Sequence, residues 1–575
     1  MDTTIKIGGE AGQGIQTIGE TLGRVFLRAG YHVFTNQDYE SRVRGGHNFF
    51  QVRVSDRPVV APRGAVDILV ALDRESIELH ADELADQGRI LYDSTVNAQA
   101  HMAPAFLDIP FKKLAVAHGG DAITANTVAT GAVLGLLGLD ISLLLSFISE
   151  LFEKKGAAVV QTNAHAAREG YDYAVKSCAH CSVASSTPSP GPRMLLGGVE
   201  AIALGALASG CGFYAAYPMT PSTGIMNYLA GRQKEYGIVV EQAEDEIAAI
   251  NMALGASFAG ARAMTGTSGG GFALMVEGVS LAGMTETPIV IAMGQRPGPA
   301  TGFPTRTEQG DLQFILSAGH GEFPRIVFAP GSPQQAFFLT NKAFDLAEKY
   351  QVPVFVLFDT YLADTQWTLG GLDLSRVRFT DYRVRGDAFK SLADYKRYAF
   401  TKSGITPFGV PGEASHLVVT DSDEHDEDGH ITEDAVTRVR MVEKRLLNKM
   451  PLIRKELAPP FLYGDHAPNV LITGWGSTYG VMKEAVDALA KTRSIAMLHF
   501  SEVYPFPSGE GFNSLRLLQK AKHSICIEHN ATGQFARLMK AETGFEFTSH
   551  IRKFDGRPFT VETLTGEIDV NLGKL

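Results

Sequence analysis

Short apolar runs alternate with longer segments of helical periodicity along most of this chain. The runs are TTIKIGG, YHVFTNQ, FFQVRV, VDILVAL and RILYDS, then GFYAAYP, GIVVE, RAMTGTS, PIVIAMG, RIVFAP and VPVFVLFD, and finally NVLITGW, IAMLHF and HSICIEH. Apolar strands separated by helices are typical of parallel sheets covered on both faces. The pattern predicts an α/β protein with several doubly wound parallel sheets. The stretch TVATGAVLGLLGLDISLLLSFI, interrupted at Asp140, predicts two buried helices rather than a membrane span.

Breaks in this pattern divide the chain, whose 575 residues exceed what one core supports. The Ser- and Pro-rich stretch 185–193 predicts a linker between a first domain, 1–184, and a second, 194–380. A polar connecting region with an acidic loop, 381–465, then precedes a last domain, 466–575.

Charge and termini narrow the class of protein. The net charge of −11 argues against nucleic acid as a partner, because phosphate binding needs a basic face. The N-terminus lacks the basic and apolar segments of a secretory signal, and 4 cysteines do not form a disulfide framework. A soluble cytoplasmic protein with no membrane partner is therefore expected.

A glycine-rich loop, GGEAGQG, follows the first predicted strand and opens a helix, where free backbone N–H groups suit a phosphate. It is not the dinucleotide fingerprint, because Thr17 stands where the third glycine should be. Downstream arginines and a glycine pair on a predicted loop would fit a phosphate-rich ligand such as coenzyme A. A structural turn and a solvated basic hairpin are the alternatives. The candidate residues for this ligand are Gly12, Gln13, Gly14, Arg44 and Gly45.

Four acids crowd the start of an alanine-rich helix, namely Glu241, Glu244, Asp245 and Glu246. Carboxylates there interact favourably with the helix dipole, by ~0.3–1 kcal/mol each, which explains the group without any chemistry. An apolar stripe follows at helical spacing and consists of Ile247, Ile250, Leu254 and Phe258. Glu246 is the acid nearest to that stripe, so it is the candidate for a buried, reactive carboxyl group.

Four segments occur in a fixed order: YAAYPMTPST, VEQAEDEIAAINMALGA, TSGGGFALMVEG and GQRPGPATGFPTRTEQGDL. Together they resemble the α subunit of 2-oxoacid:ferredoxin oxidoreductases, particularly the 2-oxoglutarate type. The N-terminal region resembles the γ subunit of the same complexes, fused here ahead of α. The resemblance implies a γ-type Rossmann-like domain, a thiamine diphosphate pyrimidine-binding domain and a transketolase C-terminal-like domain.

The resemblance assigns roles to particular residues. It implies that Glu246 hydrogen-bonds the aminopyrimidine of thiamine diphosphate, with Glu241 and Glu244 as fallback candidates. It also implies that Thr220 and Arg296 face the reacting end of a 2-oxoacid, since an arginine can bind a carboxylate through two parallel hydrogen bonds. Residues of the following loop would suit a second carboxylate, although a surface charge is the alternative there. The remaining candidates are Thr305 and Arg306 for the substrate, and Tyr217, Pro218, Gly269 and Gly270 around the cofactor.

The chain also lacks parts that such an enzyme needs. It contains no Gly-Asp-Gly, the motif with which thiamine enzymes hold the magnesium diphosphate. Its one CxxC comprises Cys178 and Cys181, and we expect spectator thiols there rather than an iron–sulfur or zinc site. The acidic run that contains His425 and His430 is expected to be a solvated loop rather than a metal site. The resemblance therefore implies a β subunit that supplies the diphosphate site, Mg²⁺ and an iron–sulfur cluster, in a dimer of αβ heterodimers.

The resulting hypothesis is an oxidoreductase subunit that is active only with its β partner. It would convert 2-oxoglutarate, CoA and oxidised ferredoxin to succinyl-CoA, CO₂ and reduced ferredoxin, or run in the carboxylating direction of a reductive TCA cycle. One alternative is the same chemistry on pyruvate, branched-chain or broad 2-oxoacids. The other is a non-catalytic, nucleotide-binding scaffold subunit.

Overall fold

The computed structural model of the chain describes residues 1–41, 45–97, 103–117, 120–121, 123–178, 191–507 and 512–574. They form two compact units. The first comprises Met1–Leu196, Asp364–Leu372 and Thr560–Thr563, and the second Gly197–Ala363, Asp373–Phe559 and Leu564–Leu575. The division into three domains, a linker and a connecting region stays a prediction.

Strands and helices are numbered in chain order. The strands are β1 (Asp2–Ala11), β2 (His32–Asp38), β3 (Gly45–Ser55), β4 (Val66–Ala71), β5 (Leu84–Tyr92), β6 (Phe106–Asp108), β7 (Met194–Gly197), β8 (Phe213–Ala216), β9 (Val239–Gln242), β10 (Ala263–Ser268), β11 (Ile289–Gln295), β12 (Ile326–Phe328), β13 (Pro353–Asp359), β14 (Gln366–Leu369), β15 (Phe461–Gly464), β16 (Val470–Trp475), β17 (Ile495–Phe500), β18 (Glu502–Tyr504), β19 (His523–Glu528) and β20 (Ser549–Arg552). The helices are α1 (Ile15–Arg28), α2 (Arg74–His80), α3 (Ser94–Asn97), α4 (Phe111–Ala117), α5 (Ala125–Leu137), α6 (Ile141–Phe152), α7 (Ala157–Ser177), α8 (Gly198–Ala208), α9 (Thr223–Ala230), α10 (Gln233–Tyr236), α11 (Glu246–Phe258), α12 (Gly269–Met284), α13 (Leu312–Ser317), α14 (Pro333–Tyr350), α15 (Thr360–Asp364), α16 (Gly386–Lys390), α17 (Ala435–Val442), α18 (Lys449–Glu456), α19 (Tyr479–Leu489), α20 (Ser514–Lys520), α21 (Gln534–Thr543) and α22 (Val561–Lys574).

The first unit is built on a sheet with the strand order β6-β5-β4-β1-β3-β2-β14-β7. Strands β1, β4, β5 and β6 are parallel, as the apolar runs predict. The prediction is wrong for β2 and β3, which pair antiparallel with each other, and for β3 beside β1. Residues 39–44, which join β2 to β3, are too few for a parallel crossover, which needs a dozen or more residues.

Two helices, α5 and α6, confirm the interpretation of the long apolar stretch. The Asp140 side chain accepts a hydrogen bond from the Ser142 N–H at 2.8 Å and so caps the second helix. Within the described part of the chain, every helix is too short or too polar to cross a membrane.

The second unit contains two sheets, ordered β18-β12-β13-β11-β10-β8-β9 and β15-β17-β16-β19-β20. All pairings in them are parallel except those of the edge strands β18 and β15. One continuous core joins the two sheets, with Phe272 and Phe355 on one side and Trp475 and Phe500 on the other. The predicted α/β class with parallel-dominated sheets is confirmed.

A buried charge cluster ties the connecting region to the first of these sheets. Glu286 forms ion pairs with Lys444, at 2.5 Å, and with Lys449, and all three side chains are almost inaccessible to solvent. The Arg397 guanidinium donates to the Glu286 backbone oxygen at 2.7 Å. Burial alone would raise the pKa of the Glu286 carboxyl, but the two ammonium groups outweigh it and hold that pKa well below its usual range.

Candidate active site

The four acids before α11 have different environments. Glu241 and Glu244 are exposed, and the Asp245 side chain caps the helix by accepting a hydrogen bond from the Ala248 N–H at 2.7 Å. Glu246, by contrast, is only 4% exposed. Three acids therefore serve the helix end or the surface, and one is placed in the interior.

The buried face of α11 differs from the predicted stripe. It carries Glu246, Ile250 and Leu254 on successive turns, with Ala249 and Ala253 beside them. Ile247 is 49% exposed, so its inclusion in the stripe is wrong. The reason is helical geometry, because position 247 lies about 100° around the helix from Glu246.

The Glu246 carboxyl group lies against the glycine turn that opens α12. A Cβ atom on Gly271 would be 2.4 Å from Glu246 Oε1 and 2.3 Å from Thr267 Oγ1, so no larger residue fits there. Glu246 Oε1 is shielded from solvent and has no hydrogen-bond partner among the described residues. A buried carboxyl oxygen without a partner is unusual in a native protein and suits a ligand that hydrogen-bonds to it.

Further unpaired polar atoms lie on the strands and loops around this turn. Counting only described residues as partners, the shielded and unpaired atoms are Tyr214 OH, Thr265 Oγ1, Ser268 Oγ and Asp311 Oδ2. Ser268 precedes α12 but makes no side-chain cap, so the helix N-terminus is left open. Residues here follow the carboxyl ends of parallel strands, the usual ligand-binding edge of such a sheet. The donor set fits the aminopyrimidine part of thiamine diphosphate.

Thr220 and Arg296 lie in contact, after the ends of β8 and β11. The Arg296 guanidinium donates to the Thr220 backbone oxygen at 2.9 Å. Burial lowers the pKa of Arg296, and the Asp311 carboxyl opposes that shift. Tyr217 is 40% exposed and Pro218 is half-buried, next to Thr220 in the same turn. Their roles as cofactor neighbours stay predictions.

Gly269 and Gly270 begin α12 directly beside these groups. The Asp311 carboxyl oxygens lie 2.9 and 3.1 Å from the position a Cβ would take on Gly269. The corresponding position on Gly270 has no described atom within 4 Å. Space is therefore present at Gly270, whereas Gly269 is covered by a carboxyl group.

Thr305 and Arg306 lie on a loop that packs against the C-terminal part of the second unit. The Thr307 N–H donates to the Gly556 backbone oxygen at 3.2 Å, and the same glycine approaches Arg306 Cβ closely. Gln309, on the same loop, is fully buried and bonded at both ends of its amide. Its Nε2 donates to the Trp475 backbone oxygen at 2.8 Å and its Oε1 accepts from the His529 N–H at 3.0 Å. Both ends of the Gln309 amide are therefore used within the protein.

Asp311 is the main group that sequence reasoning missed. Burial, and to a lesser extent the neighbouring Glu308, raise its pKa to about 6 against the opposing effect of Arg296. The only sequence signal was its position at the end of the fourth motif, where QGDL follows the arginine-containing loop. An acid at that position is explained equally well as a helix cap.

The glycine-rich loop belongs to the first unit. Gly12 and Gly14 have φ values of 93° and 84°, and a Cβ on Gly14 would lie 1.8 Å from Asn126 Nδ2. Both glycines line two cavities of about 580 and about 460 Å³, and Gln13 lines the smaller one. Gly45 is the first residue of β3, so its assignment to the predicted loop is wrong. Arg44 lies outside the described residues.

The metal and cysteine candidates can be located only in part. In the ranges that the structure covers, no group of three or more His, Cys, Asp or Glu side chains could hold a metal ion. His425 is fully buried against Tyr398 and is not in a solvated loop. Cys178 is disulfide-bonded, so the expectation of a spectator thiol is wrong for it. Cys181 lies outside the described residues.

Comparison with known proteins identifies the class of protein to which this chain belongs. Residues 204–444 match the family described as "Pyruvate flavodoxin/ferredoxin oxidoreductase, thiamine diP-bdg", and residues 4–173 match "Pyruvate ferredoxin/flavodoxin oxidoreductase". The fold and the site thus define a subunit of a thiamine diphosphate-dependent oxidoreductase.

Individual relatives agree with this class over most of the chain. The 2-oxoacid:ferredoxin oxidoreductase subunit alpha of Sulfolobus sp is 34% identical over 622 residues, covering 97% of this chain and 95% of that protein. The 2-oxoglutarate synthase subunit KorA of Archaeoglobus fulgidus is 33% identical over 60% of this chain and 89% of its own length. The 2-oxoglutarate:ferredoxin oxidoreductase from Magnetococcus marinus, solved with 2-oxoglutarate, coenzyme A and succinyl-CoA bound, is 30% identical with a TM-score of 0.92 over 99% of each chain. This chain belongs to the 2-oxoacid:ferredoxin oxidoreductase family, as an α subunit.

Replacing Gly271 with alanine tests whether the glycine turn positions Glu246. The new methyl group would displace either the Glu246 carboxyl or the Thr267 hydroxyl, and misplacement by about 1 Å can cost about 100-fold in rate. We expect a loss of that order in kcat with the complex intact. Gly566→Ala in α22 is the matched control, since its methyl group would meet no described atom within 4 Å and the position lies outside the proposed site. Equal activity of the two variants would contradict the expected role of Gly271.

Proposed function

We propose that this chain acts on 2-oxoglutarate, with CoA as co-substrate and ferredoxin as electron acceptor. The observation that carries the proposal is the buried, unpaired Glu246 carboxyl at the glycine turn, on the same sheet edge as the Arg296–Thr220 pair. The 2-oxoglutarate-specific names of relatives support the choice of substrate, as does the Magnetococcus marinus structure. Oxidation would yield succinyl-CoA and CO₂, and reduced ferredoxin would drive the carboxylating direction.

Each residue of the site then has a definite task. Thiamine diphosphate, when bound, supplies a carbon nucleophile for the ketone of the substrate. Glu246 would hydrogen-bond the aminopyrimidine ring and hold its proton in place within an apolar surrounding. Arg296 would bind the carboxylate next to the ketone, with Thr220 holding the guanidinium in position through its backbone oxygen.

A dicarboxylate needs a second cation at the distal end of the pocket. Arg306 is the candidate, with Thr305 as a neutral neighbour on the same loop. The loop is fixed by its bonds to residues around Gly556 and His529, which would reduce the entropy cost of holding the distal carboxylate.

CoA is proposed to bind at the glycine-rich loop of the first unit. Gly12, Gln13 and Gly14 line the cavity of about 460 Å³ at the carboxyl ends of β1, β4 and β5, and α1 begins there. Such a helix start suits a phosphate group. Gly45 lies on the neighbouring strand, and Arg44 is the proposed cation.

A partner subunit is part of the proposal, in a cytoplasmic dimer of αβ heterodimers. The sequence contains no Gly-Asp-Gly motif, and the relatives are themselves named as subunits. We therefore infer that a β subunit holds the diphosphate, Mg²⁺ and an iron–sulfur cluster. Electrons would leave singly through that cluster to ferredoxin.

The proposal is tested with the complex of this chain and its proposed β subunit. Anaerobic viologen reduction is measured with 2-oxoglutarate, pyruvate and a branched-chain 2-oxoacid, each with and without CoA. We expect CoA-dependent reduction that prefers 2-oxoglutarate, and a selective rise in the KM for 2-oxoglutarate in Arg306→Met. Arg516→Met, at an exposed helix position, is the control.

The other outcomes of this experiment decide between the alternatives. A preference for pyruvate or the branched acid would keep the chemistry and remove Arg306 from the substrate site. Absence of reduction with every 2-oxoacid, in a complex shown to contain thiamine diphosphate and a cluster, would favour the non-catalytic scaffold.

A further inference from the structure

Asp311 is a carboxyl group inside the proposed substrate site that performs none of the usual structural tasks of an aspartate. It directly precedes α13, yet its side chain makes no hydrogen bond to that helix. Its Oδ2 is shielded from solvent and unpaired among the described residues. Its backbone is nonetheless fixed, because its N–H donates to Gln295 Oε1 at 3.1 Å. The carboxyl is thus held in place without a structural partner.

The charged groups around Asp311 come from several elements. Arg296, directly after β11, attracts the ionised carboxyl, and Glu308, on the same loop, repels it. On the far side of the glycine turn, Glu246 faces Gly271 while Asp311 faces Gly269. The C-terminal part contributes neutral groups here, chiefly the Gln534 amide, which bonds to Gly310 and Gln313. Among the described residues, Arg296 is the cation that attracts the Asp311 carboxylate, and Glu308 is the acid that repels it.

We propose that Asp311 is a positioning residue that competes with the carboxylate of the 2-oxoacid for Arg296, so that ionisation of Asp311 weakens substrate binding. This inference rests on the proposed function, in which Arg296 binds that carboxylate. Asp311 is anchored beside Arg296 because its N–H bonds to the side chain of Gln295, the residue before Arg296. Arg296 Nη1 donates to the Thr220 backbone oxygen, so its other N–H groups are the ones proposed to bind the substrate. When Asp311 is protonated, it adds no negative charge beside Arg296. When Asp311 is ionised, its negative charge opposes the binding of the substrate carboxylate.

The sign of the pH dependence follows from linkage. The carboxylate next to the ketone stays ionised throughout the range from pH 5 to 8, so the charge presented to Arg296 by the substrate does not change with pH. Because the pKa of Asp311 is raised to about 6, the carboxyl ionises as the pH rises through that value, and the affinity for the anion falls. Substrate binding must in turn raise the pKa of Asp311 by the same coupling free energy.

The experiment measures KM and kcat for 2-oxoglutarate from pH 5 to 8 in the purified complex. In the wild type we expect KM to rise about tenfold, the size of a one-unit pKa interaction between neighbouring charges. In Asp311→Asn we expect a low KM that does not change with pH. In Glu308→Gln the rise should persist with its midpoint at a lower pH, because Glu308 no longer raises the pKa of Asp311.

A second measurement determines substrate affinity directly, for variants that turn over too slowly for a KM to be measured. Isothermal titration of 2-oxoglutarate into the complex prepared without thiamine diphosphate reports affinity when no bond can break. The same pH dependence is expected there, in the wild type and not in Asp311→Asn. An identical KM and affinity profile in both proteins would overturn the role of Asp311 and leave the proposed function standing. A wild-type complex that neither turns over nor binds any 2-oxoacid would overturn both.

Discussion

Glu246→Gln should lower turnover of every accepted 2-oxoacid by about 10²- to 10⁴-fold, the usual contribution of a positioned proton-transfer group. The amide has the shape of the carboxyl, so the contact with Gly271 is kept and the packing of α11 is not disturbed. What is lost is the ability to carry or share the proton of the aminopyrimidine. The rate is measured as anaerobic viologen reduction with saturating 2-oxoacid and CoA.

Glu244→Gln is the matched control for this variant. Glu244 stands two positions earlier in the same acidic group and is exposed, so its replacement should leave the rate unchanged. Size-exclusion chromatography and thiamine content show whether Glu246→Gln still assembles with its cofactor. Near-full activity of Glu246→Gln in an assembled complex would refute the catalytic assignment.

Glu286→Gln is expected to cause the largest loss of stability, about 3–5 kcal/mol in the free energy of unfolding. The replacement leaves the ammonium groups of Lys444 and Lys449 buried without a counter-charge, which costs more than the lost attraction itself. Calorimetric unfolding temperature is the first measurement. Hydrogen exchange of residues 435–456 locates the effect, because the connecting region should open first.

The control for Glu286→Gln is Glu78→Gln, which breaks an exposed ion pair with Arg74 and should shift the unfolding temperature very little.

The pH dependence of stability provides a further check on the Glu286 cluster. Since the folded pKa of Glu286 is depressed, its stabilising contribution is present above its unfolded pKa of about 4.3 and is lost as the pH falls through the folded value. An unchanged unfolding temperature in Glu286→Gln would show that the cluster is not stabilising.

Residues whose position follows from local sequence were predicted well. The order of strands and helices in the second unit was readable from apolar runs, because both faces of its sheets are covered. The separation of Glu246 from its acidic neighbours was also readable, since helical spacing places it above Ile250. The roles of Glu246, Thr220 and Arg296 stay predictions that rest on family resemblance.

Features set by long-range contacts could not be predicted. The antiparallel pairing of β2 and β3 depends on a short connection that apolar patterning does not register. Gln309 is buried against Trp475, which lies 166 positions away in the sequence. The Asp311 side chain does not cap its helix because of the direction in which it points, and the sequence does not determine that direction. Ile247 was misplaced because one apolar residue beside a helical stripe is indistinguishable from a member of it.

The bonds of Gln309 to Trp475 and His529 make the arginine-bearing loop part of a joint between two segments that are distant in sequence. Variants that alter substrate preference could therefore arise around residues 529–556, which have no proposed contact with the substrate. Anyone exchanging segments between family members to obtain a new specificity would need to transfer the loop and its C-terminal support as a single unit. A graft that separates them would leave the buried Gln309 amide unpaired and the loop without an anchor.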